Sequence, residues 1–258
     1  MTTLDQYAGK YPDIRMERRD GILQVTFHTE GKSLKWSDDG SHRDFGYAFA
    51  DIAADVANKV VIMTGVGDDF INDFVFKKKG RRRPSDWDTI YWEGKRLLMN
   101  LLNIEVPIIA AVNGPATIHA EVALLSDIVL AADHATFEAA KHFPKGKVPG
   151  DGVHIVWPML LGINRGRYFL MTGQTLTATE AHRLGLVGEV LPKEKLLPRA
   201  WELAEQMAAK PALTLRYTRV LFTEHIKRTM QDYLGYGLAL EGLAALDGQE
   251  DATGKLVT

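Results

Sequence analysis

Cysteine is absent from the 258-residue chain, which excludes disulfides and thiolate metal sites and fits a reducing compartment. Long apolar runs are missing as well. No stretch approaches eighteen consecutive apolar residues, and the N-terminus MTTLDQYAGKYPD lacks a charged segment followed by an apolar one, so neither a membrane span nor a secretory signal is expected. The expectation is a soluble cytoplasmic protein without a membrane partner. Charge of one sign is also lacking: the formal net charge of −2 provides no global basic field, so nucleic acid is not expected as a main partner. Internal repeats and low-complexity tracts do not occur. What the chain does have is apolar mass, 46% hydrophobic residues, enough to bury a sizeable core as one domain or as a domain with an appended helical part.

Residues 22–28 (ILQVTFH) alternate and are rich in β-branched side chains, the pattern of a strand, and residues 59–64 (KVVIMT) form a short apolar run of the buried-strand type. Residues 86–102 carry helical spacing, with Ile90, Leu97, Leu98 and Leu101 on one side. Residues 108–112 and 128–132 read as buried strands separated by a helix, so βαβ units are expected, arranged as a superhelix or a parallel sheet. Beyond Gly152 the pattern turns mostly helical, over residues 166–172, 178–183, 198–209 and 213–246. Thr177 and Glu180 have the spacing of a capping box. The last eleven residues read as a frayed tail.

The candidate chemistry lies mostly between residues 109 and 152. His142 and Asp151 flank the segment FPKGKVPG nine positions apart, and a carboxylate beside an imidazole fixes its tautomer and favours its charged form. The bland alternative makes Asp151 a cap for the following helix and His142 a satisfied loop histidine. His119 is suited to donate to a ketone oxygen, or else sits at a helix N-terminus facing solvent. Glu121 by itself reads as a first-turn acid complementing a helix dipole. The run Lys77 to Arg83, KKKGRRR, is either an anion-binding patch or a solvated loop.

The turn Asn113-Gly114, the pair Ser126-Asp127, the turn Pro149-Gly150-Asp151-Gly152 and the segment TGQTLTATEAHRLGLVGEVLP together resemble the crotonase (enoyl-CoA hydratase/isomerase) superfamily over roughly residues 14–247. The resemblance implies an α/β fold, a crotonase ββα superhelix core over residues 1–198 with a C-terminal helical trimerisation region over 199–258, and trimers or dimers of trimers. Two departures stand out. The family's glycine cluster is replaced by Thr117-Ile118-His119-Ala120, and His142 occupies the place of a hydratase glutamate. These substitutions, with HTEGKSLKW, HFPKGKVPGDGVHIVWP and NRGRYFLMTGQ, are similar to the carbon–carbon bond hydrolases of the 6-oxocamphor hydrolase type.

What that resemblance implies is a cofactor-independent retro-Claisen cleavage of a bicyclic β-diketone, with no metal. His142 with Asp151 would activate water, His119 would bind the carbonyl that becomes the enolate, and Glu241 would line the pocket and place water or shuttle a proton. Trp36 and His42 would contact substrate. Trp36 reads equally as an apolar wall, Glu241 as a surface or interface residue, and His154 as structural. The competing readings are an acyl-CoA hydratase or isomerase, favoured by Glu121 and the basic run, and a noncatalytic or RNA-associated protein. Against coenzyme A stand the missing glycines and the segment DDFINDF, which lacks the family's Ala-Gly turn.

Overall fold

The computed structural model describes residues 2–75 and 83–247. Residues 77–82 of the basic run and the tail 248–258 lie outside the described residues. In chain order the N-terminal elements are α1 (Leu4–Tyr7), β1 (Ile14–Arg19), β2 (Ile22–Phe27), β3 (Lys35–Ser37), α2 (Ser41–Ala54), β4 (Val60–Gly65), β5 (Asp73–Val75) and α3 (Pro84–Leu102). The middle of the chain supplies β6 (Ile108–Val112), α4 (Glu121–Leu124), β7 (Ile128–Ala132) and β8 (Thr136–Glu138). There follow α5 (Val153–Leu161), α6 (Ile163–Thr172), β9 (Thr175–Thr177), α7 (Ala178–Arg183), β10 (Glu189–Leu191), α8 (Lys193–Ala208) and α9 (Ala212–Asp247).

Six strands form one sheet in the order β1-β2-β4-β6-β7-β10, antiparallel between β1 and β2 and parallel elsewhere. β6 is buried along its whole length and β4 along all but its last residue. Continuous Val, Ile and Ala runs at these positions reflect a parallel sheet covered on both faces, where a polar side chain would lose its water. Two small sheets, β3-β5 and β8-β9, flank it. On α3, Leu97, Leu98, Leu101 and Leu102 are buried on the helix's inner stripe, while Pro84 at the first turn and the Asp86 carboxylate, accepting from the Arg83 amide at 2.8 Å, fix its start.

The expected elements appear, with two differences. A helix expected from residue 198 begins at Lys193, so Pro198 lies inside α8 rather than opening it; one backbone hydrogen bond is forgone, which packing against β4, β6 and β7 outweighs. The division expected at residue 198 therefore falls within a helix that covers the sheet. The helix α5 was not anticipated, because VHIVWPMLL is apolar nearly all round and contains Pro158, leaving no amphipathic period to read. The capping box at Thr177 and Glu180 is present, with Thr177 Oγ1 accepting from the Glu180 amide. Among the described residues no helix is long and apolar enough to cross a membrane.

The last helix returns across the site. Arg219 anchors its N-terminal half, donating to Asp127 at 2.5 Å and to the Ile104 carbonyl at 2.7 Å. Further along, glycines allow backbone-close packing: a Cβ at Gly150 would overlap the Gly237 carbonyl, and one at Gly242 would overlap the Trp87 indole. We expect Gly150→Ala to cost about 1–3 kcal/mol in denaturant unfolding, as overpacking does, and to lower turnover by pushing α9 outward. Unchanged stability and turnover would show that this close approach is not needed.

Candidate active site

The site is built at the C-terminal end of β6. Beyond Val112, Asn113 is buried and acts as a clamp: its Oδ1 accepts from the Gly65 amide at 2.9 Å, and its Nδ2 donates to the carbonyls of Asp69 at 3.0 Å and Gly67 at 3.2 Å. The amides of Phe70 and Ile71 donate to the Pro115 carbonyl, and those of Thr117 and Ile118 donate back to the Ile71 carbonyl. This reciprocal lacing holds 113–118 against 68–72 and delivers His119 in the left-handed region, at φ 44°. A non-glycine residue is costly there, so the surrounding contacts impose the conformation.

His119 is enclosed. Its ring lies 4.8 Å from that of Trp36 and 5.5 Å from that of His42. Its Nδ1 lies 3.9 Å from Glu121 and 4.0 Å from Asp151, too far for hydrogen bonds. Burial dominates and pushes its pKa down to about 4, with the Asp151 charge opposing, so His119 is neutral near pH 7 and carries a single N–H. The solvent-facing alternative for His119 is thereby set aside.

The loop before α5 brings His142 and Asp151 together, Nε2 to Oδ2 at 3.0 Å. The helix itself is capped at Gly152 without a side-chain bond, so Asp151 is not the cap of α5. Burial would lower the His142 pKa, but the Asp151 charge and hydrogen bond, reinforced by Glu241 and Glu121, outweigh it and raise the pKa to about 9. Asp151 is itself raised by burial and lowered more strongly by His142, ending well below the usual carboxylate range. The resting pair is an imidazolium and a carboxylate.

Two further carboxyls face the same space. Glu121 is buried, with Oε1 accepting from the Trp157 indole at 3.0 Å; burial first and Asp151 second raise its pKa to about 7. Glu241 comes from α9, is buried rather than superficial, and is raised to about 8 by burial and then by Asp151. Glu121 Oε2, Asp151 Oδ1 and Glu241 Oε2 are buried without a hydrogen-bond partner among the described residues. His142, Asp151 and Glu241 also present ligand-type atoms within 4.8 Å of one another, a set that could hold a metal ion once His142 has lost its proton.

These groups line a pocket of about 820 Å³, together with His42 and the apolar side chains of Phe74, Trp87, Ile90, Ile118 and Leu238. That volume suits a compact small molecule. Trp36 is placed differently from the expectation of substrate contact: it is fully buried, packed against Phe45 at 4.8 Å and behind His119, and is not part of the pocket wall. The expectation of contact comes from the resemblance, and a matched position in sequence carries no information on depth. His154 is also outside the lining, joining α5 to α9 through the Tyr233 carbonyl at 3.3 Å.

Glu93 joins the site without having been expected there. Its carboxylate meets His42 Nδ1 at 3.1 Å, both side chains being buried. The available signal was its position, three residues after Ile90 and four before Leu97, which puts a carboxylate on the apolar stripe of α3. Trp157, the partner of Glu121, had no local signal beyond its size.

The family model described as enoyl-CoA hydratase/isomerase matches residues 17–242. The chain belongs to the enoyl-CoA hydratase/isomerase family. Among similar solved structures, a β-diketone hydrolase from the cyanobacterium Anabaena sp. PCC 7120, bound to (S)-3-oxocyclohexyl acetic acid, is 50% identical with a TM-score of 0.91, covering 94% of this chain and 97% of that one. A carnitinyl-CoA dehydratase of Salmonella arizonae is 31% identical over 223 residues, 85% of this chain and 81% of the relative. An enoyl-CoA hydratase/isomerase from Mycobacterium paratuberculosis has a TM-score of 0.80 at 21% identity, a likeness of fold alone. The parallel sheet and C-terminal helices are those of the crotonase fold.

Proposed function

We propose that this family member is a cofactor-independent hydrolase that cleaves the carbon–carbon bond between two carbonyls of a bicyclic β-diketone, giving a keto acid. The observation that carries the reading is the convergence of the His142–Asp151 pair and a neutral, enclosed His119 in one largely apolar pocket. Neutral His142 removes a proton from water as the oxygen bonds to the carbonyl carbon. The carbonyl electron pair moves onto its oxygen. The adduct then collapses: the carbon–carbon bond breaks, its pair passes into the second carbonyl as an enolate, and His119 N–H stabilises that oxygen. A proton on the leaving carbon completes the keto acid.

The ligand of the 50%-identical hydrolase fits this chemistry. Joining the carboxyl carbon of 3-oxocyclohexyl acetic acid to the ring carbon across from its side chain, with loss of water, gives bicyclo[2.2.2]octane-2,6-dione, a symmetric diketone with both carbonyls on one bridgehead. A chiral pocket that attacks one of the two would yield one enantiomer.

The coenzyme A reading is supported by the carnitinyl-CoA dehydratase relative and by Glu121 in the pocket. Against it, Glu121 already accepts from Trp157 and His119 fills space beside it. Purified protein treated with EDTA and given this diketone, with crotonyl-CoA in parallel, separates the readings. Keto acid of one hand is expected with metal removed; turnover of crotonyl-CoA alone would move the assignment to a hydratase.

Assembly as trimers or dimers of trimers belongs to the same proposal. Ile163, Tyr168 and Met171 on α6 and Leu213, Tyr217 and Leu221 on α9 expose apolar surface that a second copy would cover. A small-molecule diketone is the proposed partner, and a cytoplasmic location accompanies it.

A further inference from the structure

A second histidine–carboxylate pair adjoins the same pocket, with its histidine on the wall. His42, on the first turn of α2, places Nδ1 3.1 Å from Glu93 on α3, with side chains only 10% and 8% exposed. Nδ1 is thereby committed, so Nε2 is the nitrogen His42 has left for the pocket it lines. The His42 ring lies 5.5 Å from that of His119, and His119 Nδ1 lies 4.0 Å from Asp151, the partner of His142. His119 is therefore a neighbour of both imidazole–carboxylate pairs. Resting on the β-diketone reading above, the reaction has two proton transfers on different atoms, one from water and one to carbon, and the second histidine–carboxylate pair offers a separate group for the second of them.

We infer that His42 is the acid that protonates the leaving carbon, and that Glu93 is the positioning residue that holds it there. As the carbon–carbon bond breaks, its electron pair rests in the enolate oriented by His119. With its Nδ1–H donated to Glu93, His42 acts in its imidazolium form: the Nε2 proton moves to the enolate carbon, forming the new C–H bond and restoring the ketone, and the ring is left neutral. His42 regains a proton from solvent, and the proton taken from water by His142 leaves to solvent when the carboxylic acid is released, so the sum is diketone plus water to keto acid. Delivery from a fixed ring puts the proton on one face of the carbon.

The test is hydrolysis of bicyclo[2.2.2]octane-2,6-dione in D₂O by the full chain, with early product read by NMR for the face carrying deuterium. Wild-type protein is expected to label one face. His42→Asn is expected to lose that preference and about 100-fold in turnover, the usual scale of a general acid; Glu93→Gln is expected to scramble the label with KM little changed. Glu93→Asp, which keeps the carboxylate, should recover part of the preference, and His42→Asn/Glu93→Gln should be no worse than His42→Asn alone. Single-face labelling retained by both His42→Asn and Glu93→Gln would overturn the inference while leaving the hydrolase reading intact. Absence of keto acid from the wild-type protein would overturn both. If Glu93→Gln does not fold, labelling by His42→Asn and Glu93→Asp decides.

Discussion

His142→Ala is expected to lose at least about 10³-fold in kcat/KM, the scale on which general-base contributions are measured, with near-UV circular dichroism and unfolding midpoint close to wild type. The fold should survive because His142 sits in the loop between β8 and α5, partly exposed and outside the apolar core. The pH dependence separates base catalysis from simple loss of shape. With its pKa held near 9 by the Asp151 and neighbouring carboxyl charges against the pull of burial, His142 is protonated at pH 7, where about 1% is free base. The rate should therefore rise with pH from 7 and level off above about 9. Glu121 and Glu241, raised to about 7 and about 8, lose protons across the same interval, so the limb belongs to the group and will be broad. Asp151→Asn removes the charge that lifts His142; its limb should move to lower pH while its plateau falls. A flat wild-type profile from pH 6 to 10, or near-normal turnover by His142→Ala, would remove His142 from the role of base.

His119→Ala should lower kcat by about 10²–10³-fold, the usual effect of deleting one oxyanion donor, with a smaller change in KM. On the proposed reaction, a donor aimed at that oxygen is worth more at the enolate than at the ground-state ketone, because charge would develop there during cleavage. The truncation also removes a ring packed on Trp36 and near His42, so a second variant is needed. His119→Asn keeps an N–H donor, and Asn tolerates the left-handed backbone observed at φ 44°. Its rate should lie between wild type and His119→Ala. Equal rates for the two variants would mean that the ring's packing, rather than its N–H, is what matters; because His119 is neutral near pH 7, its loss should leave the shape of the rate's pH limb largely unchanged.

Much of the frame is legible in the sequence. Apolar runs at 59–64, 108–112 and 128–132 became β4, β6 and β7, because a strand covered on both faces must be apolar throughout, and that demand is written locally. The Thr177 capping box is likewise a contact between residues three apart. Helix α5 was illegible for the opposite reason: a segment buried nearly all round has no polar face to reveal its period. The replaced glycines, the histidines at 119 and 142 and the four turn residues 149–152 carried the family and the candidate chemistry.

Tertiary structure decided what those residues can do. The sequence by itself determined which side chains were available and which local elements hold them, since hydrogen-bond ladders, capping and alternation depend on near neighbours. Only packing brought Glu241 from α9 to Asp151 ninety positions earlier, set Glu93 of α3 against His42 of α2, and put Trp36 behind His119 instead of on the pocket wall. Protonation states were equally out of reach of the sequence: two histidines of the same intrinsic basicity diverge to about 4 and about 9 because one is buried without a hydrogen-bonded carboxylate and the other has one at 3.0 Å. Desolvation and Coulomb interaction depend on distances in space, and those distances exist only once the chain has folded.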